Sequence, residues 1–338
     1  VTATERRVSA SMPRAIVSGL LAALVGAHAL VGCSRAPAAP VEPPPSWAYP
    51  GDSVSPSSLA DDGGPFRLPM APGAYGAKEL HDLFAAPDWY PGEHPRMPDI
   101  VAHGRRGAPE VQACAYCHLP SGGGRPENAS LAGLPYGYIV SQVADMKSGK
   151  RSSSVAGRVP TSLMVASAKA ATEDEIAAAA RYYSALPPRS SVQVVESDQA
   201  PRTIASGWVL SKDPAGGTEP IGTRIVEVPE DHARFELRDE HVRYVAYVPA
   251  GSVKLGEALV QSGGPGKTTP CGSCHGSDLK GTSLGPRLAG LSPTYLVRQL
   301  YDFKSGARGG SNASQMRAVA YNLTEADMVR VAAYLGSR

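Results

Sequence analysis

Apolar positions recur at helical spacing in some stretches of this chain and alternate in another. Tyr138 to Met146 and Tyr295 to Phe303 carry apolar side chains at i, i+3 and i+4, which predicts an amphipathic helix in each. Thr172-Glu173-Asp174-Glu175 has the form of a capping box, with Thr172 as N-cap and Glu175 at N3, opening an Ala-rich helix to about Leu186. Thr324 with Asp327 predicts a matching helix to about Leu335. Leu255 to Val260 and Asp99 to His103 read as two short helices. The period changes between residues 189 and 250. Thr223 to Val228 and His241 to Val248 are alternating or β-branched, Trp208-Val209-Leu210 is a third candidate strand, and turn signals stand at residues 213–217 and 229–231. These predict a small antiparallel sheet or a long ordered connector.

The helical stretches are copies of one another. At an offset of 157, Leu131-Ala132-Gly133-Leu134 falls on Leu288-Ala289-Gly290-Leu291, Tyr138 on Tyr295, Gln142 on Gln299, and Lys147-Ser148-Gly149 on Lys304-Ser305-Gly306. After a shortening by five residues, Met164 falls on Met316, Thr172-Glu173 on Thr324-Glu325, and Tyr182 on Tyr334. The unit is duplicated.

The amino-terminal segment has a different character. Arg6, Arg7 and Arg14 precede a charge-free apolar run from Ala15 to Gly32, the pattern of a secretory signal, with Met12 an alternative start; a membrane-spanning anchor is the competing reading. Leu30-Val31-Gly32-Cys33 resembles the lipobox of bacterial lipoproteins. That resemblance implies an exported chain acylated at Cys33 and held on a membrane by its lipid. Residues 34–64 are rich in Pro, Ala and Ser, and Pro43-Pro44-Pro45 favours polyproline II, a tether of about 3.1 Å per residue with a reach on the order of 100 Å. Of 338 residues, 42% are apolar and 19% charged, which excludes full disorder. The net charge is +2, and without residues 1–32 basic and acidic residues balance at 30 each. A general nucleic-acid binder is excluded on that balance, and steering of partners falls to local patches.

The five cysteines carry the chemistry. Apart from Cys33 they form Cys114-Ala115-Tyr116-Cys117-His118 and Cys271-Gly272-Ser273-Cys274-His275. Both are C-x-x-C-H, the attachment motif of c-type haem. Two thiols add to the two vinyl groups along one porphyrin edge, and the adjacent His lies under the iron. A zinc site would leave both histidines unexplained, and a dithiol would want a βαβ context. Among seven methionines only Met164 and Met316 coincide between the repeats, each expected in a non-helical stretch before a helix. They are the candidate distal ligands, since a thioether opposite His raises the iron potential. Met146 and Met328 read as core. The rival distal ligands His94, His103, His232 and His241 do not recur. Tyr138, Gln142, Tyr295 and Gln299 could reach haem propionates or simply form polar helix faces. Lys147, Lys150, Lys304 and Arg308 read as solvated or as lining a docking face.

The order helix, C-x-x-C-H, loop, helix, Met, helix resembles class I cytochrome c domains over about residues 95–188 and 251–338. The family bonds the proximal His Nδ1 to a backbone carbonyl. Gly285-Pro286-Arg287-Leu288 matches its pattern, which implies the Pro286 carbonyl as acceptor. Asn128-Ala129-Ser130-Leu131 departs from it, with Ala where Pro belongs. The expected fold is mainly α: a signal peptide (1–32), a tether (33–75), cytochrome c domain 1 (76–188), a β-rich connector (189–250) and cytochrome c domain 2 (251–338). The connector is expected to fix the geometry between the haems, to contact a redox partner, or to be passive.

The resemblance implies two covalently bound haem c groups, with irons held by His118/Met164 and His275/Met316. It implies a periplasmic, lipid-anchored electron carrier, similar to cytochrome subunits of bacterial dehydrogenases, working between a dehydrogenase or quinol-oxidising complex and a terminal oxidase. A dihaem peroxidase-like enzyme, needing one open iron, is the alternative. A lipoprotein using haem only to hold its fold is a third.

Overall fold

The computed structural model describes residues 42–51, 64–310 and 312–338. The signal segment and Cys33 lie outside the described residues. Two sets of helices follow the duplicated sequence. The first comprises α1 (Ala77–Leu80), α2 (Asp99–Ala102), α3 (Cys114–His118), α4 (Tyr136–Lys147), α5 (Val159–Ala170) and α6 (Glu173–Ala185). Residues 189–250 contain β1 (Val192–Glu196), β2 (Gln199–Pro201), β3 (Thr203–Ser206), β4 (Val209–Lys212), β5 (Thr218–Pro220), β6 (Val226–Pro229), α7 (His232–Glu236) and β7 (Tyr244–Val248). The second helical set is α8 (Ser252–Ser262), α9 (Gly272–His275), α10 (Pro293–Ser305), α11 (Ala313–Tyr321) and α12 (Glu325–Gly336). The architecture is mainly helical, as expected. Among the described residues no helix is long and apolar enough to cross a membrane.

Local chemistry sets the helix starts. Thr172 Oγ1 accepts the Glu175 amide at 3.2 Å, and Glu175 Oε2 accepts the Thr172 amide at 2.8 Å. Thr324 and Asp327 reciprocate in the same way at α12. Each pair satisfies two amides that the first helical turn leaves free. Met328 is fully buried and Met146 nearly so, both core as expected.

The sheet differs from expectation in two respects. β7 pairs with β6 antiparallel but with β1 parallel, so the three-stranded sheet β1-β7-β6 is mixed. Its third member, Val192–Glu196, lacks clean alternation and was not predicted. The candidate strands also begin later: Val226 rather than Thr223, Val209 rather than Trp208, and Tyr244 rather than His241.

This sheet is no loose spacer. Ile225, Ala246 and Val248 lie in one core with Val260, Leu296, Val297, Met328 and Ala332 of the second helical set. Glu227 of β6 accepts the Thr294 amide at 3.0 Å, the Thr294 hydroxyl at 2.6 Å and the Ser292 hydroxyl at 2.8 Å. A buried carboxylate therefore caps α10 from another segment. Burial still pushes its pKa up. Residues 42–50, assigned to the tether, are docked too. Ala48 is fully buried in the same core, its carbonyl accepts from Arg298 Nη1 at 3.1 Å, and Trp47 Nε1 donates to Glu325 at 2.8 Å. An apolar Trp-Ala-Tyr turn buries surface that a polyproline segment would leave wet.

Candidate haem-binding sites

Each C-x-x-C-H segment forms a single helical turn, which brings its two thiols and its imidazole to one end of a short element. None of the four thiols is in a disulfide. Burial pushes the Cys114 thiol up to about 12 and the Cys271 thiol up to about 11, so neither is held as a thiolate.

The histidines are oriented identically. His118 Nδ1 pairs with the Ala129 carbonyl at 2.9 Å, and His275 Nδ1 with the Pro286 carbonyl at 2.6 Å. A carbonyl only accepts, so Nδ1 carries the proton. Burial lowers the pKa of both rings and keeps them neutral. Nε2 is left as a lone pair, the form in which imidazole binds a metal. Gly285 packs against this ring, and a Cβ on it would lie 2.8 Å from His275 Nδ1. The first repeat has Asn128 at that position, whose Nδ2 donates to the Cys117 carbonyl at 3.1 Å.

Met164 lies on α5 and Met316 on α11, both half-buried. Their stretches are helical, contrary to expectation. Pro160 stands in the first turn of α5, where its fixed φ favours helix, and neither stretch contains Gly or Pro further in. α5 packs on α4 as α11 packs on α10, so the two methionines occupy equivalent places. Among the rival histidines, His94 is bonded to Asp88, His232 to Ser211 and His241 to Glu93.

The four recurring Tyr and Gln residues belong to a network that joins the repeats. Arg308 Nη2 donates to Tyr138 Oη at 2.6 Å and Gln142 Oε1 at 2.7 Å, and its Nη1 to Gln299 Oε1 at 2.8 Å. Arg151 donates to Gln142 Oε1 at 2.8 Å and Gln299 Oε1 at 3.2 Å. Arg151 and Arg308 are themselves equivalent by the repeat offset and face each other in an isolated bridge. The Gly309 amide donates to the Lys150 carbonyl and the Ser152 amide to the Ala307 carbonyl, each at 2.7 Å. Arg308, read from sequence as solvated, is 7% exposed. The reading failed because Arg151 lies beyond the last aligned residue and its pairing with Arg308 exists only across the repeat. Burial first, and the Arg308 charge next, push the Arg151 pKa down.

Among the described residues no carboxylate lies within ion-pair distance of either guanidinium, although the charge of Asp302 acts on both. Two adjacent cations bonded only to neutral oxygens are suited to an added anion. Haem propionates are such anions, and the thiols and the Nε2 lone pairs complete a donor set that fits haem c.

Comparison with known proteins places the chain in a family. The cytochrome c family model matches residues 255–338. Cytochrome c-552 of Acidithiobacillus ferridurans is 41% identical over 85 residues, 25% of this chain and 36% of that protein. The chain thus spans about a third of that relative. The thiosulfate dehydrogenase electron acceptor of Thiomonas intermedia is 27% identical over 234 residues, 68% of this chain and 80% of that one. Cytochrome c-554(548) of Halomonas halodenitrificans is 37% identical over 76 residues, 22% of this chain and 92% of that protein. With nearly the whole of a single-domain relative covered at that identity, the chain belongs to the cytochrome c family, whose members carry covalently bound haem c.

Proposed function

We propose that the protein is a dihaem electron carrier, exported and lipid-anchored at Cys33, that takes electrons from a periplasmic dehydrogenase or quinol-oxidising complex and delivers them to a terminal acceptor. The observation that carries this reading is the repeated imidazole geometry, with Nδ1 engaged by a carbonyl in both halves and Nε2 free. Cys114, Cys117 and His118 would hold one haem, and Cys271, Cys274 and His275 the other. Met164 and Met316 would be the distal ligands.

Bound haem supplies a reversible one-electron centre. The chain's part is to fix imidazole orientation, exclude water and offset propionate charge through Arg151 and Arg308. With His118 and Met164 holding one iron and His275 and Met316 the other, the chain would favour electron transfer over bond chemistry. The extended similarity to a thiosulfate dehydrogenase electron acceptor supports a dehydrogenase as donor.

The test is pyridine-haemochromogen quantitation of protein matured with its haem-ligation machinery, followed by ferric spectra of Met164→Ala and Met316→Ala. Two haems per chain, and loss of about half of the weak thioether-to-iron band at the red edge in each variant, are expected. One haem, or resting high-spin iron that reacts rapidly with hydrogen peroxide, would overturn the proposal, the latter in favour of a peroxidase. Membrane release of a Cys33→Ser variant checks the anchor.

A further inference from the structure

The edge bearing the two thiols is treated differently in the two repeats. In the second, Ser273, Ser277, Asp278, Lys280 and Thr282 are exposed, and Leu284, an apolar side chain beside them, is 73% exposed. In the first, the equivalent residues are covered. Tyr116, equivalent to Ser273, is 6% exposed; the Arg238 guanidinium carbon lies 3.5 Å above its ring centroid, and Arg238 Nη1 donates to its carbonyl at 2.6 Å. Pro120, equivalent to Ser277, is buried, and its carbonyl accepts from Tyr182 Oη at 2.7 Å. The amide of Ser121, equivalent to Asp278, donates to buried Glu240 at 2.6 Å. Arg125, equivalent to Thr282, stacks 3.8 Å over Phe235.

Three of the covering groups, Phe235, Arg238 and Glu240, come from one stretch of the connector. Arg238 adopts φ +56, a left-handed conformation that a non-glycine residue holds only when its surroundings fix it. Its two contacts to Tyr116 are what fix it. The cover is therefore built into the fold.

We infer that residues 231–241 close the thiol-bearing edge of the first repeat to other proteins, so that electron exchange with an outside one-electron carrier takes place at the edge of the second repeat. This deepens the electron-carrier reading and rests on it. In each encounter the reduced partner would lose one electron to a haem held by Cys271, Cys274 and His275, with no bond made or broken. The occupant of the exposed edge is a redox protein with an apolar, weakly charged docking face. The patch itself sets this, because Asp278 and Lys280 offset one another, the other exposed residues are hydroxyls, and Leu284 supplies the apolar anchor. Association with such a face depends little on salt.

The test uses the two-haem protein and a reduced monohaem class I cytochrome c as probe. Stopped-flow reduction of Leu284→Glu by the probe should slow by about tenfold, within the range over which association rates vary among variants of one interface. Reduction by dithionite should stay unchanged. Titration of the probe into ¹⁵N-labelled holoprotein should shift amides of residues 273–284 and leave 114–127 and 231–241 in place. Shifts confined to 114–127 or 231–241, or an unchanged probe rate in Leu284→Glu, would overturn the inference. Fewer than two haems in the preparation would instead count against the electron-carrier reading, so the two failures are separable.

Discussion

The two repeats share one chemical unit and support it by different means. In the second, α8 has eleven residues and crosses α12 so closely that a Cβ on Gly256 would overlap the Arg330 carbonyl. In the first, α2 has only four residues. Support there comes from outside the repeat: Trp89 Nε1 donates to the Leu237 carbonyl at 2.8 Å, and Leu68, Leu80, Trp89 and Tyr90 form a cluster with Leu237 of the connector. The repeat with the shorter helix is thus stabilised by structure from outside it, and that structure also covers its thiol-bearing edge. Redundant sequence does not mean redundant surroundings.

The comparison can be broken most severely at the helix crossing. Gly256→Leu should cost about 3 kcal/mol or more, since the obstacle is backbone and cannot rotate away. The equivalent Asp99→Leu, at an exposed site, should cost less than about 1 kcal/mol. Guanidinium titrations of both variants check this. Next in size is Glu227→Ala, which leaves the Thr294 amide and hydroxyl without their acceptor. A loss of about 2 kcal/mol is expected, accompanied by faster amide exchange at the start of α10 and none at α4.

Near neutral pH, the expected effect is that of His94 in the first repeat. The hydrogen bond to Asp88 raises the His94 pKa to about 8, with burial working against it. The folded pKa lies above the unfolded one, so this stability is fully present below about pH 6.5 and is lost as pH rises through about 8. Asp88→Asn should then destabilise the protein by about 1–2 kcal/mol at pH 6 and by little at pH 9, read from paired denaturation curves. An equal loss at both pH values would remove this point of difference. Smallest are the caps: Thr172→Ala and Thr324→Ala should each cost about 1 kcal/mol. The larger loss is expected at Thr324, whose partner Asp327 is buried and also paired with Lys267.

Much of this was legible along the chain. Helical period and capping boxes located α4, α6, α10 and α12 within two residues or so, because those signals are local. The histidine acceptor Pro286 was legible through the family pattern, whereas Ala129, where the first repeat departs from that pattern, was not. Strand β1 was not, since a parallel partner 52 residues away leaves no local mark. Nor was the docking of Trp47 and Ala48 onto a core that begins some 200 residues later. The Arg151–Arg308 bridge escaped for a different reason. A basic residue in a polar stretch reads as solvated until the other half of the molecule is folded against it.

Glu227 has a practical consequence for anyone dividing this protein. A fragment cut at residue 251 would preserve every residue of the second repeat yet strip its largest helix of the anion at its head and its interior of Ile225, Ala246 and Val248. The autonomous piece begins upstream of the sheet, near residue 190, and retains Trp47–Ala48 only if those residues are supplied separately. Ligation of haem to such a truncated half would proceed on a chain without its finished scaffold, and measurements on it would describe an orphan rather than the domain.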